Sequence, residues 1–278
     1  MSVARNETIE LAFDVAGQGP DLLLIAGTAS TRPIWTLVRP ALSEKFRTIA
    51  FDPRDAGDSS SATGQYSLDD LAADALAVLD AAGSTRAHVV GHSLGGAVAQ
   101  ALGLLAPERC ASLSLVCTWA RGDDYSRSVV SLLSALTDEL REDRTLLASI
   151  LYFGNTVETL RKIDLFTRTD AAMALGPLIP RAGLQRQWAL DLQVDTLERT
   201  RALRMPVQVV WSPEDRMLPP PHSQLLAEAI PNSTLACIQG CGHLPMIDAP
   251  EAFANLIAEF VEGIEGSQLG VRKDQSHA

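Results

Sequence analysis

Residues 87–105, Ala87-His88-Val89-Val90-Gly91-His92-Ser93-Leu94-Gly95-Gly96-Ala97-Val98-Ala99-Gln100-Ala101-Leu102-Gly103-Leu104-Leu105, change periodicity at a single serine. The apolar run 87–90 suits a strand covered on both faces, and residues 94–105 have the spacing and composition of a helix. Between them stands Gly91-His92-Ser93-Leu94-Gly95, a G-x-S-x-G at a strand-to-helix junction. Such a junction forces the central serine into a strained turn and presents its hydroxyl. The small neighbours Gly91 and Gly95 let strand and helix approach closely. The helix N-terminus adds unpaired amides and the positive end of the dipole, where an oxyanion can sit. Ser93 is therefore the candidate nucleophile. The plainer alternative is a glycine-rich turn with a capping serine.

Working outward, the same short apolar runs recur at 22–26, 47–51, 112–117, 207–211 and 234–238, and an alternating strand is expected at 8–15. Helical spacing fills 68–79, 222–230 and 250–261, the first opened by the cap Ser67 and the acids Asp69 and Asp70. Alternating strands and helices imply an α/β protein: a mostly parallel central sheet with helices on both faces. The alternation breaks at 120–203, where only helical segments (129–140, 146–152, 185–197) are expected. This predicts core at 1–119 and 204–265, a helical insertion at 120–203 and a flexible tail at 266–278.

Composition bounds the function. Of 278 residues 46% are hydrophobic, and 23 Lys and Arg against 34 Asp and Glu give a net charge of −11. That balance argues against a general nucleic-acid or anionic-membrane surface. The insertion holds 12 acids and 11 bases, so the excess negative charge belongs to the rest of the chain and reads as a solvated scaffold face. The first residues have no apolar h-region, and no run reaches the roughly 18 apolar residues of a membrane span. Cys110, Cys117, Cys237 and Cys241 lack paired C-x-x-C spacing. A cytoplasmic protein with buried, reduced thiols is expected, with no metal, nucleotide or other cofactor. A homodimer is compatible with the sequence.

A serine hydroxyl needs a base, and the chain has five histidines. His88 belongs to a core strand, His92 is locked into the turn, His222 opens a helix after a proline run and His277 is in the tail. His243, in Gly240-Cys241-Gly242-His243-Leu244-Pro245 just past the last strand, remains. The acid that orients it is expected at the end of another late strand. Asp215, in Trp211-Ser212-Pro213-Glu214-Asp215-Arg216, fits that position. Glu214 reads as a solvated loop charge, and Asp248 as an acid opening the last helix. The oxyanion donors are expected to be the amides of Thr28, in the loop after 22–26, and Leu94. Thr28 could equally cap the next helix. Cys241 lacks such a turn and reads as a small loop residue.

The order of elements, Gly91-His92-Ser93-Leu94-Gly95-Gly96, Asp215 and His243 together resemble the α/β-hydrolase superfamily from about residue 8 to 261. The insertion then occupies the place of that family's cap. Asp52-Pro53-Arg54-Asp55-Ala56-Gly57-Asp58-Ser59 resembles the family's D-x-R-G-x-G-x-S loop with Asp55 for a glycine, as in aclacinomycin-type polyketide methyl esterases. Residues 195–207 are similar to 3-oxoadipate enol-lactonases and small carboxylesterases. One departure is Ala26-Gly27 where most members carry His-Gly, whose imidazole braces the oxyanion loop; enol-lactonases share the departure. The resemblance implies a Ser-His-Asp hydrolase of an ester or lactone. Its small to medium, largely apolar substrate would bind between core and cap against some of Trp119, Tyr125, Tyr152, Phe153, Phe166 and Trp188. Acyl transfer or thioester release, cofactor-free C–C hydrolysis, lyase or cyclase chemistry, and ligand binding without turnover remain alternatives on the same fold.

Overall fold

The computed structural model describes residues 1–162 and 179–275, with side chains to residue 267. Eight strands form one sheet in the order β1-β2-β4-β3-β5-β6-β7-β8. They are β1 Ser2–Asn6, β2 Ile9–Ala16, β3 Asp21–Ile25, β4 Arg47–Phe51, β5 Ala87–His92, β6 Cys110–Val116, β7 Val207–Trp211 and β8 Ser233–Cys237. The β1/β2 and β2/β4 pairs are antiparallel and the remaining five are parallel. Every strand expected from the sequence is present. Strand β1 was not foreseen, because its edge position leaves a polar, mostly exposed run with no apolar signature.

The apolar runs are buried because both faces are covered. Leu23, Ile25, Val89, Leu113 and Val209 point into one hydrophobic cluster. Leu22, Leu24, Val90, Val116 and Val210 point into the other. On the first face pack α2 (Leu68–Ala81) and α3 (Leu94–Leu105). Ser67 starts α2 with a full capping box to Asp70, and Gly83, at φ +68°, lies just past its end. On the second face lie α1 (Arg39–Ser43) and the last helix, α11 (Pro250–Gln275).

Between β6 and β7 the described residues form helices α4 (Asp124–Glu139), α5 (Asp143–Gly154), α6 (Val157–Lys162), α7 (Arg181–Asp191) and α8 (Leu197–Thr200). The single helix expected at 185–197 is two. The break carries an isolated bridge of Arg121 to Asp195, where the guanidinium Nε lies 3.0 Å from both carboxylate oxygens. After β7 and β8 come α9 (Pro220–Ala229) and α10 (Pro245–Asp248). Helix α11 stays helical past residue 261 and through Gly266, where the sequence pointed to a tail; a lone glycine costs a helix only about 1 kcal/mol.

Candidate active site

The reactive candidates all follow carboxyl ends of parallel strands: residue 28 after β3, 93 after β5, 215 after β7 and 243 after β8. This is where open α/β sheets form their crevice. Ser93 sits between β5 and α3 at φ 54°, ψ −122°, a strained conformation for a non-glycine residue. Its backbone is tied down: the amide donates to Val116 O at 3.0 Å, and the carbonyl accepts from Thr118 Oγ1 at 2.7 Å. The hydroxyl makes no capping bond, which removes the alternative of a structural cap. Close approach requires the two glycines. A Cβ at Gly91 would lie 2.2 Å from Gly95 O, and one at Gly95 would lie 2.2 Å from Ile25 O.

His243 and Asp215 meet. His243 Nδ1–H donates to Asp215 Oδ2 at 2.9 Å, both side chains being almost fully buried. The other carboxylate oxygen accepts the amides of Met217 (2.9 Å) and Leu218 (2.8 Å), which fixes the carboxylate against the ring. With Nδ1 carrying the proton, Nε2 is the basic nitrogen of the neutral ring. His92 Nε2–H donates to His243 O at 2.8 Å, and the two rings lie 4.9 Å apart. Burial, with a smaller contribution from His243, lowers His92 to about 3, so it stays neutral. Asp248 sits at the end of α10 rather than opening the last helix. Its Oδ2 accepts Gly242 N–H at 2.7 Å, tightening the loop just before His243.

The loop after β3 is held from outside the sheet. Thr28 Oγ1–H donates to Asp191 Oδ2 at 2.8 Å, and Ala29 N–H donates to Gln187 Oε1 at 3.0 Å. Gln187 and Asp191 are four apart on α7 and share one face. The Thr28 hydroxyl is thus used on α7 rather than as a cap for the next helix. Burial, opposed by the Thr28 hydroxyl, pushes Asp191 up to about 8, and its Oδ1 is buried with no hydrogen-bond partner among the described residues. The same helix is fixed to the core by Arg186, whose guanidinium grips Asp55 at 2.5 and 3.0 Å. Asp55 is buried at φ +71°, which explains why a glycine fits this position in related loops.

These elements line a partly open cavity. Thr28, Ser93, His92, His243 and Asp191 line one part, and Trp119, Trp188, Val129, Ile150 and Leu218 supply apolar wall. Trp188 hides its indole N–H on Thr137 Oγ1 at 3.1 Å and so shows the cavity a carbon face. Trp119 and Trp188 are thus among the residues that line this cavity. Tyr152 and Phe153 are not: they are absent from the lining, and Tyr152 is 52% exposed. Tyr152 stacks under Arg216, 5.0 Å from the ring centroid, and packs edge-on against Phe153. Tyr125 is also turned out, its hydroxyl donating to Arg216 O at 2.7 Å. Phe166 lies outside the described residues.

His88, His222 and the cysteines have structural surroundings, and His277 lies outside the described residues. His88 is buried between Ser112 Oγ (2.7 Å) and Glu265 Oε1 (3.2 Å), and His222 is buried with Asp123 3.3 Å away. All four cysteines are unpaired, Cys110, Cys117 and Cys241 being buried. Burial pushes the Cys241 thiol up to about 12, far from a nucleophilic thiolate. Among the described residues no group of three or more His, Cys, Asp and Glu side chains could hold a metal ion, and no helix is long and apolar enough to cross a membrane. Gln187 and Asp191 were missed by sequence reasoning. Their signal was a polar pair at i, i+4 on a helix face that also carries the buried Leu184 and Trp188.

A strained serine at the end of a central parallel strand, facing a cavity shared with a buried His–Asp pair, defines a hydrolase-type site on an α/β sheet. The family model for the α/β hydrolase fold matches residues 20–250, and the chain belongs to that family. It is 28% identical over 265 residues to the RutD protein of Azorhizobium caulinodans, whose name assigns it carbamate hydrolysis, covering 95% of this chain and 100% of the relative. It is 30% identical over 259 residues to the pimeloyl-[acyl-carrier protein] methyl ester esterase of Aeromonas hydrophila, covering 88% and 96%. The enol-lactonase from Burkholderia xenovorans LB400 superposes with a TM-score of 0.85 at 21% identity, over 94% of this chain and 100% of that one, a likeness of fold alone.

Proposed function

We propose that the protein hydrolyses a carboxylic ester or lactone through an acyl-enzyme formed on Ser93. The observation that carries this reading is the buried His243–Asp215 hydrogen bond at 2.9 Å beside a strained serine whose hydroxyl is free of capping duty. Ser93 Oγ attacks the carbonyl carbon, and His243 Nε2 takes its proton. Asp215 holds the imidazole tautomer and stabilises the imidazolium. The negative charge that develops on the carbonyl oxygen is met by the amides of Thr28 and Leu94, the latter at the first helical position of α3 where no intrahelical carbonyl is available. Collapse of the tetrahedral intermediate breaks the C–O bond to the alcohol, which leaves with the proton from His243. Water, deprotonated by His243, then attacks the acyl-enzyme, and the acid departs as Ser93 recovers its proton.

The described helices between β6 and β7 act as a cap in this reading, with the substrate lying between them and the strand ends. The apolar walls from Trp119, Trp188, Val129 and Ile150 suit a small to medium acyl chain. Ester and carbamate hydrolysis, named for the two relatives, share attack at an acyl carbon bonded to a heteroatom. The test is turnover of p-nitrophenyl esters and simple lactones together with fluorophosphonate labelling. Wild type should turn over and label at Ser93, while Ser93→Ala should lose at least about 10³-fold in kcat and all labelling. Undiminished turnover by Ser93→Ala would remove the nucleophile assignment.

A further inference from the structure

We infer that helix α7 completes the oxyanion site: Gln187 and Asp191 are positioning residues that hold the 28–29 loop in its donating geometry, so the hole is formed only while α7 is docked. This rests on the reading of Ser93 as nucleophile and deepens it. Both restraints are specific. One takes the Ala29 amide at 3.0 Å through a buried Gln187, and the other takes the Thr28 hydroxyl at 2.8 Å through Asp191, itself 6% exposed. The loop is shaped for this, since Ala29 stands at φ +61° and the turn is closed by Ser30 N–H to Gly27 O at 3.2 Å. Residues 26, 27 and 29, being Ala, Gly and Ala, add no polar side chain of their own, and the local side-chain bond from Ser30 Oγ–H to Thr28 O is long at 3.4 Å.

Two further observations separate a functional restraint from ordinary helix packing. Asp191 is kept in the cavity wall with Oδ1 buried and, among the described residues, unpartnered, a cost that apolar packing of the same helix would not carry. The helix is also secured independently at Gly183, where a Cβ would lie 2.5 Å from Asp55 Cβ, and at the Arg186–Asp55 pair. Docking of α7 thus has supports besides Gln187 and Asp191. Oxyanion donors act only when aimed at the developing charge, and removing one costs about 10²- to 10³-fold in kcat. Displacing the loop by a fraction of an ångström should therefore weaken the transition state more than the bound substrate.

The experiment is steady-state hydrolysis of p-nitrophenyl butyrate by wild type, Gln187→Leu, Asp191→Leu, Asp191→Asn, Thr28→Val and the Thr28→Val/Asp191→Leu double variant, with fluorophosphonate labelling rates in parallel. Gln187→Leu, Asp191→Leu and Thr28→Val should each lower kcat at least tenfold with KM moving less than threefold. Asp191→Asn keeps an acceptor for Thr28 and should recover most of the loss. The double variant should be no slower than the worse single, because both changes cut one hydrogen bond. Thr28→Val is isosteric and keeps the test alive if a helix variant fails to fold. Wild-type kcat in Gln187→Leu and Thr28→Val, or equal changes in KM and kcat, would overturn the inference while leaving Ser93 labelling intact. A wild type that neither turns over nor labels takes both readings down together.

Discussion

The strand-end loops and helix α7 face the same cavity but are held in place differently. Ser93, Asp215 and His243 are each held by short bonds that include a backbone group: the Met217 and Leu218 amides donate to Asp215, the His243 carbonyl accepts from the His92 ring, and at Ser93 the amide donates to Val116 O while the carbonyl accepts from Thr118 Oγ1. Helix α7 reaches the site through side chains, with Gln187, Asp191 and Arg186 each spanning to a distant loop. A frame built from strand register tolerates little change and stays preorganised. A contact built from side chains can be adjusted one residue at a time, which suits the part of the site that would meet different substrates.

The sharpest way to break the contrast is to disturb the frame. Gly95→Ala places a Cβ 2.2 Å from Ile25 O and 2.7 Å from Ala26 O, backbone atoms that cannot swing aside. Overpacking of this kind costs about 1–3 kcal/mol or more, and relief must come from moving α3 relative to β3. That motion separates residue 93 from residue 28. Thermal unfolding should show a loss of at least about 3 kcal/mol, and kcat should fall at least about tenfold in whatever protein remains folded. A stable, fully active Gly95→Ala would show that the close approach is not required.

A smaller effect is expected at the core end of α7. Arg186→Leu leaves Asp55, whose side chain is 0% exposed, without its cation. Breaking a buried pair this way costs about 3–5 kcal/mol. The Ala62 amide still donates to Asp55 Oδ1 at 2.9 Å, which places the expected loss near the lower end. At about 2–4 °C per kcal/mol for a chain of this size, Tm should fall by roughly 6–12 °C. If the contrast holds, replacing both partners, Asp55→Ala with Arg186→Leu, should cost less than Arg186→Leu alone. Equal losses would mean the charge itself is not what is being buried.

The two regions also differ in how legible they were in the sequence. Ser93, Asp215 and His243 could be read because each is marked locally, by a strand end and by glycines or prolines within a few residues. The α7 contacts could not. Gln187 and Asp191 find partners 158 and 163 residues away in sequence, and their i, i+4 spacing on the buried face of α7 does not say which loop they meet. The cap aromatics show the same limit. Helix α5 turns Ile150 and Gly154 toward the cavity, four residues apart, so Tyr152 and Phe153 between them fall away from it. Aromatic character was visible at Tyr152, but its rotation about the helix depends on which face Leu146, Ile150 and Leu151 bury.

The subtlest expected signature is in pH. The Asp191 carboxyl ordinarily titrates near 3.8, and burial in the folded protein raises it to about 8. The folded state therefore holds this proton more tightly than the unfolded chain. The resulting stability is fully present below about pH 4 and is lost progressively as pH rises toward 8. Asp191→Asn has no proton to lose and keeps an acceptor for Thr28. His92, His243 and Arg127 line the same cavity, but they are unchanged in the variant, so the difference between the two proteins isolates residue 191. Within this window the slope is at most about 1.4 kcal/mol per pH unit, so between pH 6 and 7 the Tm of wild type should drop relative to Asp191→Asn by up to roughly 3–6 °C. Parallel Tm curves across that interval would mean that residue 191 is solvated and ionised in the folded protein, and that α7 meets the 28–29 loop through a wetter contact than Thr28 and Asp191 now make.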